Sequence, residues 1–258
     1  TDRPIRLGSV GHPVPYARVR VVKIDSDGNF QGDCKPGEIG VVAMAGPGVF
    51  GGYLNPEHNR GAFVEPGWVN SGDLGRLDEE GYLWITGRAK DLVIRGGHNI
   101  DPAPVEDVLF QHPAVGLAAV VGQPDAYAGE LPIAYVQLKP DAKVEPGELE
   151  EWVRSKTPER AAVPVAVVQI DVMPQTAVGK VFKPQLRWDA SQRVFTNALS
   201  GLAQEGVACK VAVGAHGTHG SVATVNVTGV PEAQREAVAK KIHAALDPFV
   251  MRHEIAWS

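Results

Sequence analysis

The sequence has few cysteines, no long hydrophobic run and no excess of positive charge. Its 258 residues include two cysteines, Cys34 and Cys209, which lie far apart and outside any metal-binding spacing. A disulfide framework is therefore excluded, and a reducing, cytoplasmic compartment is expected. No apolar run approaches the roughly 20 residues that a membrane helix requires. The formal net charge of −5 argues against a general nucleic-acid-binding protein, which would usually present a basic face.

Glycine and proline are plentiful, with 29 and 20 copies, and they divide the chain into short elements. In residues 1–87, short apolar strands such as 19–24 and 40–45 alternate with turns, for example at 78–81. Several strands at this spacing predict a small β-rich, barrel-like subdomain. The pattern changes at Gly87, which is the best candidate for a domain boundary.

Residues 88–190 alternate strands with amphipathic helices, which indicates an α+β domain. Strands are predicted at 89–95, 118–121, 133–138 and 165–171, and helices at 102–111 and 146–156. The sequence pattern of residues 191–258 predicts an additional α+β extension. Its elements are paired strands at 208–213 and 221–228, a helix at 231–246 and a closing strand at 254–257. The predicted fold class is therefore α+β throughout.

Four glycine-containing segments carry the functional signal, and each of them alone is weak. They are GEIG at 37–40 with GGYLN at 51–55, GWVNSGDLG at 67–75, GRAKDLVIRGGHNI at 87–100 followed by PVE at 104–106, and PQTAVGK at 174–180. In this order and spacing they resemble the adenylate-forming (AMP-binding) superfamily, and specifically its acyl-CoA synthetase branch. The resemblance covers about residues 8–190.

The resemblance implies a fold and a two-step reaction. Residues 1–87 would end the large N-terminal domain, and residues 88–190 would be the mobile C-terminal lid. A carboxylate attacks the α-phosphate of ATP to give an acyl-adenylate and pyrophosphate, and the thiol of coenzyme A then displaces AMP. The implied cofactors are ATP, coenzyme A and Mg²⁺. Positioning and charge stabilisation would do most of this chemistry.

The resemblance also assigns roles to four residues. Lys180 matches the catalytic lysine of the adenylation step, a compact charge suited to the substrate carboxylate and the α-phosphate. Asp73 matches the carboxylate that accepts hydrogen bonds from the ATP ribose. Arg88 matches an arginine that contacts the nucleotide, and Lys90 falls at the hinge between the two domains.

Gly96, Gly97 and His98 match the loop that lines the pantetheine tunnel, where glycine lets the backbone approach the ligand. A plain hairpin loop is the alternative explanation of the two glycines. Asn99 departs from the arginine that is more frequent in the family. Glu106 is expected to be an exposed acid in the first turn of a helix.

The Ser/Thr/Gly-rich phosphate loop of the family does not occur in the sequence. We therefore expect the chain to be the C-terminal part of a longer enzyme and to be inactive by itself. The magnesium ligand and most of the acyl pocket are expected upstream. The expected partners are a small carboxylate, coenzyme A and that upstream half.

Two other functions are compatible with the sequence. The chain could belong to an adenylation module that loads a carrier-protein thiol, or it could be a non-catalytic binding domain derived from the fold. The acid is expected to be fatty or aromatic from the branch resemblance alone. His216 and His219 have no third ligand at a suitable spacing, so no metal site is predicted there.

Overall fold

The computed structural model describes residues 4–25, 28–216 and 220–258. The chain divides into two compact units, Thr1–Asp91 and Leu92–Ser258. Both units combine apolar strands with short connections, and the second adds helices. Within the described ranges, no helix is both long and apolar enough to cross a membrane.

The first unit is a six-stranded antiparallel sheet. Its strands are β1 (Arg18–Ile24), β2 (Phe30–Asp33), β3 (Gly40–Ala45), β4 (Phe63–Glu65), β5 (Trp68–Leu77) and β6 (Leu83–Arg88). The order is β2-β1-β3-β5-β4, and β6 also pairs with β5. The described strands form an open sheet, so the barrel-like subdomain predicted from the sequence does not close into a barrel.

Both faces of this sheet bury apolar side chains. Successive residues of a strand point to opposite faces. Accordingly Val22 and Ala43 belong to one buried cluster, while Val21 and Val42 belong to another. The consecutive valines of β1 and β3, at 21–22 and 41–42, are consistent with this two-sided burial.

The second unit begins with an α+β layer. Its strands are β7 (Val93–Arg95), β8 (His98–Ile100), β9 (Val115–Asp125), β10 (Gly129–Leu138) and β11 (Val167–Gln169), and its helices are α1 (Ala103–Phe110) and α2 (Glu148–Lys156). The sheet order is β11-β10-β7-β8, with β9 pairing to β10. The strand predicted at 89–95 is wrong in its first half, because Ala89–Asp91 forms a 3-10 helix.

The predicted apolar faces of α1 and α2 form the core against this sheet. Val105 and Leu109, four residues apart, are fully buried, and so are Leu149 and Val153 on α2. Residues at this spacing lie on one face of a helix. The sequence periodicity therefore identifies the packed face of both helices.

The remaining elements build a three-stranded sheet with helices. They are α3 (Lys183–Ala198), α4 (Ser200–Gln204), β12 (Ala208–His216), β13 (Gly220–Thr228), α5 (Glu232–Leu246) and β14 (His253–Trp257). β13 pairs antiparallel with β12 and parallel with β14. The helix α5 buries Val238, Ile242 and Leu246, which follow one another at four-residue spacing and so lie on one face.

The helix α3 joins these two layers and was not predicted. Leu186 and Ala190 pack on the outer face of β9 and β10, whereas Phe195 belongs to the core of the last sheet. The predicted domain boundary at residue 190 lies inside this helix. The 92–258 segment is one compact unit because α3 contributes to both cores.

Candidate functional site

Asp73 lies at an irregularity in β5. Val41 pairs with Leu74 and Ala43 pairs with Asn70, so four steps along β5 oppose two steps along β3. The two extra residues must bulge from the ladder, and such bulges change the direction of a side chain. The sequence of β5 thus places Asp73 where the regular alternation of the strand is broken.

Local hydrogen bonds fix the shape of this bulge. The amide of Gly72 donates to Asn70 Oδ1 at 2.9 Å, and the amide of Asp73 donates to Ser71 Oγ at 3.1 Å. Gly72 has φ +74°, a conformation that glycine adopts without steric cost. The side chain of Asp73 is 35% exposed, so its carboxylate remains available to a ligand.

Arg88 is the cross-strand partner of Asp73. The two residues are paired between β5 and β6, and Arg88 Nε donates to Asp73 Oδ1 at 3.1 Å. The arginine side chain is 53% exposed. A carboxylate and a guanidinium side by side offer acceptors for hydroxyl groups and donors for phosphate oxygens.

Lys90 lies in the 3-10 helix that follows β6. Its side chain is exposed, and the helix ends at Asp91, where the first compact unit also ends. The segment is therefore a turn of the backbone between two separately packed units, rather than the interior of a strand.

Gly96 and Gly97 form the two-residue connection between β7 and β8. Arg95 and His98 close the hairpin as a pair, and the glycines have φ values of +57° and +81°. Two consecutive positive φ values define the tight turn that glycine pairs favour. A Cβ atom on either glycine would meet nothing within 4 Å apart from its chain neighbours, so the turn is open on that side. The amide of Gly96 donates to the carbonyl of Ala128 at 2.6 Å.

His98 follows this turn at the start of β8. Its Nε2 lies 2.5 Å from Glu159 Oε1, and both side chains are at least half exposed. Glu159 precedes a short 3-10 helix far along the chain, so sequence inspection had no local signal for this pair. The contact orients the imidazole beside the glycine turn.

Lys180 is presented by a tight loop between β11 and α3. Gln175 and Val181 form an isolated antiparallel bridge that closes the loop. The amide of Thr176 donates to the carbonyl of Lys180 at 2.7 Å, and the amide of Lys180 donates to Thr176 Oγ1 at 3.2 Å. Gly179 has φ +78°, and the Lys180 side chain is exposed. Thr176 and Gly179 therefore define the shape of the loop that carries Lys180.

Glu106 and Lys183 form an ion pair that the sequence analysis missed. Their Oε1 and Nζ atoms lie 2.7 Å apart, and the side chains are only 17% and 18% exposed. Glu106 Oε1 also accepts a hydrogen bond from the amide of Val120 at 2.7 Å. The prediction of an exposed acid is wrong, because α3 covers Glu106 and ties the end of the Lys180 loop to α1 and β9.

The histidine pair considered in the sequence is only partly described. His216 is the last residue of β12, and His219 lies outside the described residues. A different cluster of potential ligands occurs at the end of α5, where His243, Asp247 and His253 come together.

Comparison with known proteins identifies the family of the second unit. Residues 104–180 match the family model of the AMP-binding enzyme C-terminal domain. The matched range begins in α1 and ends at Lys180. It therefore contains β9, β10, β11, α2 and the lysine loop, whereas the β7–β8 hairpin lies before it.

Individual relatives are CoA ligases and other adenylate-forming proteins. The marinolic acid–CoA ligase of Pseudoalteromonas sp. (strain SANK 73390) is 41% identical over 94% of this chain and 37% of its own length. ATP-bound MatB from Rhodopseudomonas palustris has a TM-score of 0.64, with 32% identity over 72% of this chain and 36% of its own. The o-succinylbenzoate CoA synthetase of Bacillus subtilis, solved with its acyl-adenylate intermediate, has a TM-score of 0.61 and 37% identity over 70% and 36%.

The chain spans little more than a third of the length of these relatives. The match to the marinolic acid–CoA ligase covers 242 residues, so most of 191–258 lies within it. The family model, the relatives and the structural neighbours agree on one assignment. The chain belongs to the adenylate-forming (AMP-binding) superfamily and corresponds to the C-terminal part of its fold.

Proposed function

We propose that this chain is the C-terminal part of an ATP-dependent carboxylate–CoA ligase. The enzyme would form an acyl-adenylate from a carboxylic acid and ATP, and then transfer the acyl group to coenzyme A. The observation that carries the proposal is the 41% identity to a CoA ligase along 94% of the chain. Residues 1–87 would complete the large domain, residues 88–190 would form the lid, and residues 191–258 would be an added extension.

Lys180 is the proposed catalytic residue of the first step. Its ammonium group would contact the substrate carboxylate and the α-phosphate as negative charge develops there. The geometry supports this role because Thr176 and Gly179 hold the loop while the lysine side chain extends into solvent. A lysine with three donors can serve both oxygen groups at once.

Asp73 and Arg88 are the proposed nucleotide-binding pair. Asp73 would accept hydrogen bonds from both ribose hydroxyls, since an ionised carboxylate has acceptors only. Arg88 would hold this carboxylate in place and contact the nucleotide through its remaining donors. Their 3.1 Å contact and partial exposure support this division of roles.

The loop of Gly96, Gly97 and His98 is proposed to line the path of the pantetheine arm in the second step. The open space on the Cβ side of both glycines supports a close approach of ligand to this part of the backbone. Lys90 is the proposed hinge, and its place one residue before the end of the first compact unit supports that role.

The proposed substrates are a small carboxylate, ATP and coenzyme A. The B. subtilis relative has also been solved with ATP and a magnesium ion. We place the Mg²⁺ ligand in the upstream half of the enzyme, so none of the roles proposed for this chain depends on the ion. A fatty or aromatic acid and a cytoplasmic location remain part of the proposal.

The decisive variant is Lys180→Ala, made in the chain joined to its upstream half. Carboxylate-dependent ATP–pyrophosphate exchange reports the first step, and release of AMP from supplied acyl-adenylate and coenzyme A reports the second. We expect exchange to fall by about 10²-fold or more, the effect of removing a group that stabilises transition-state charge. The second step should change much less.

Lys143→Ala is the matched control, because Lys143 is an exposed lysine of the same unit outside the proposed site. It should leave both steps unchanged. Equal losses of the two steps in Lys180→Ala would contradict the role given to Lys180. A carrier-protein thiol accepted in place of free coenzyme A would instead support the carrier-loading function.

A further inference from the structure

Three potential metal ligands converge between the end of α5 and the start of β14. His243 Nδ1 lies 2.8 Å from His253 Nε2. Asp247 Oδ1 lies 3.7 Å from the first of these atoms and 3.6 Å from the second. Two imidazole nitrogens and one carboxylate oxygen thus form a compact triangle. None of these three residues has a proposed role in the ligase reaction.

The size of this triangle fits a transition-metal ion. A triangle with sides of 2.8, 3.7 and 3.6 Å has a circumradius of about 2.0 Å, so one point lies at that distance from all three atoms. Zinc binds histidine nitrogen and carboxylate oxygen at about 2.0–2.2 Å. An ion slightly above the plane of the triangle would reach all three ligands. A tetrahedral arrangement would move the two nitrogen atoms apart by about 0.5 Å, because bonds of 2.0–2.1 Å at tetrahedral angles place them about 3.3 Å apart.

The fold brings the ligands together from two elements. His243 and Asp247 are four residues apart at the C-terminal end of α5, so they lie on one face of the helix. His253 is the first residue of β14, and the pairing of β14 with β13 places it opposite Ala223. The carbonyl end of a helix also favours a cation.

Exposure differs among the three ligands in a way that suits an ion at the surface. The side chain of His253 is only 9% exposed, whereas those of His243 and Asp247 are 51% and 65% exposed. One ligand is therefore fixed by packing, and the other two face solvent. Water can then complete a tetrahedral shell from the open side.

We propose that His243, Asp247 and His253 bind a divalent transition-metal ion such as Zn²⁺. The ion would connect the end of α5 to the start of β14 and stabilise the extension formed by residues 191–258. The ligand set, two imidazoles and one carboxylate, favours such an ion over Mg²⁺ or Ca²⁺, which prefer oxygen ligands. The site is separate from the proposed chemistry of Lys180, and its test does not depend on ligase activity.

The competing explanation is a simple hydrogen bond between the two imidazoles. A distance of 2.8 Å also fits an N–H group of one ring donating to the other. In that case the aspartate would be a nearby acid without a ligating role. Metal binding and its ligand dependence distinguish the two explanations.

The test uses the full 258-residue chain, prepared without a histidine tag. Zn²⁺ is titrated in competition with a chromophoric chelator, and Co²⁺ is added separately to read the coordination from its visible absorption. We expect one ion per chain, a tetrahedral-type Co²⁺ spectrum and a higher thermal midpoint with zinc, because the ion binds the folded state.

His243→Ala is the principal variant, since its exposed side chain can be removed with little effect on packing. It should abolish the Co²⁺ spectrum and lower zinc affinity at least tenfold, and Asp247→Asn should also lower the affinity. His58→Ala is the control, because it removes an exposed histidine from the first unit. It should bind Zn²⁺ and Co²⁺ as the unmodified chain does. Circular dichroism checks that each variant is folded.

Two results would overturn the proposal. One is the absence of binding up to about 100 μM Zn²⁺, where a site of three protein ligands should be occupied. The other is zinc binding of unchanged affinity and spectrum in folded His243→Ala. Either result would leave the hydrogen bond as the explanation of the cluster.

Discussion

Asp73 and Arg88 contact each other, yet their contact contributes little to stability. The two side chains are 35% and 53% exposed, and ion pairs at such positions contribute about 0–1 kcal/mol. Stabilisation by this ion pair alone therefore does not explain why an aspartate stands at the bulge. The proposed ribose-binding role would account for an acidic side chain at this bulge, where the amide of Asp73 donates to Ser71 Oγ.

Asp73→Asn separates binding from stability. The variant should change the free energy of unfolding of this chain by less than about 1 kcal/mol, measured by urea denaturation. In the chain joined to its upstream half, the KM for ATP should rise about tenfold or more, because the amide keeps only one of two acceptor oxygens.

Glu57→Gln is the control for the loss of one exposed negative charge in the same unit. It should change neither the free energy of unfolding nor the KM for ATP. A folded Asp73→Asn enzyme with an unaltered KM for ATP would argue against the ribose-binding role.

The connection between β5 and β6 depends on one aspartate. Asp78 Oδ2 accepts hydrogen bonds from Arg6 Nη1 at 2.6 Å and Trp84 Nε1 at 3.1 Å, and Oδ1 accepts from the amides of Glu80 and Tyr82. Burial opposes ionisation of Asp78, but these hydrogen bonds outweigh it and lower its pKa to about 2. The ionised form is thus the one that the folded turn stabilises.

This shift makes the first unit sensitive to acid. Because the folded pKa lies below the ordinary value of 3.8, the stabilisation is complete above that value and is lost as the pH falls towards 2. At pH 7, Asp78→Asn should have a smaller free energy of unfolding than the unmodified chain. The difference between the two free energies should become smaller as the pH falls towards 2.

Urea unfolding followed by tryptophan fluorescence measures this difference, since Trp84 is itself a donor to Asp78. Glu79→Gln, an exposed neighbour in the same turn, is the control. A pH-independent difference between Asp78→Asn and the unmodified chain would contradict the assignment.

In the β7–β8 hairpin, the glycine motif predicts the local turn but not whether the turn contacts a ligand. The positive φ values of Gly96 and Gly97 suffice to explain both glycines as turn residues. The sequence could predict the turn because its geometry is local. It could not distinguish a turn from a ligand-lining loop, since that difference depends on what approaches the backbone from outside.

For the molecule as a whole, elements with a clear local pattern were predicted and shared elements were missed. Short apolar runs identified β1 and β3 correctly, and the three- to four-residue spacing of apolar residues identified α1, α2 and α5. The helix α3 has no single apolar stripe facing one core, because Leu186 and Phe195 pack in different clusters. The helix also has a proline at its second position and many polar residues, which weaken the helical pattern in the sequence.

In the candidate site too, some features could be predicted from the sequence and others could not. The motif resemblance singled out Lys180 and Asp73 as candidates, whereas the bulge at Asp73 appears only in the strand pairing. Contacts between distant segments could not be predicted, and the partly buried Glu106–Lys183 pair is the clearest example. Such pairs depend on how helices dock, which residue spacing does not encode.

The most direct test of the central claim follows an oxygen atom through the reaction. In the proposed sequence, a carboxylate oxygen attacks the α-phosphorus and pyrophosphate leaves. The thiol of coenzyme A then attacks the acyl carbon, and the bond from that carbon to the bridging oxygen breaks. AMP therefore leaves with one oxygen that came from the carboxylate.

The measurement is mass spectrometry of AMP, formed from ¹⁸O-labelled fatty and aromatic acids by this chain joined to its upstream half. The account predicts one ¹⁸O atom per AMP, together with the acyl-CoA thioester. Unlabelled AMP, label in phosphate instead, or no transfer from any acid in the panel would contradict an acyl-adenylate mechanism for this protein.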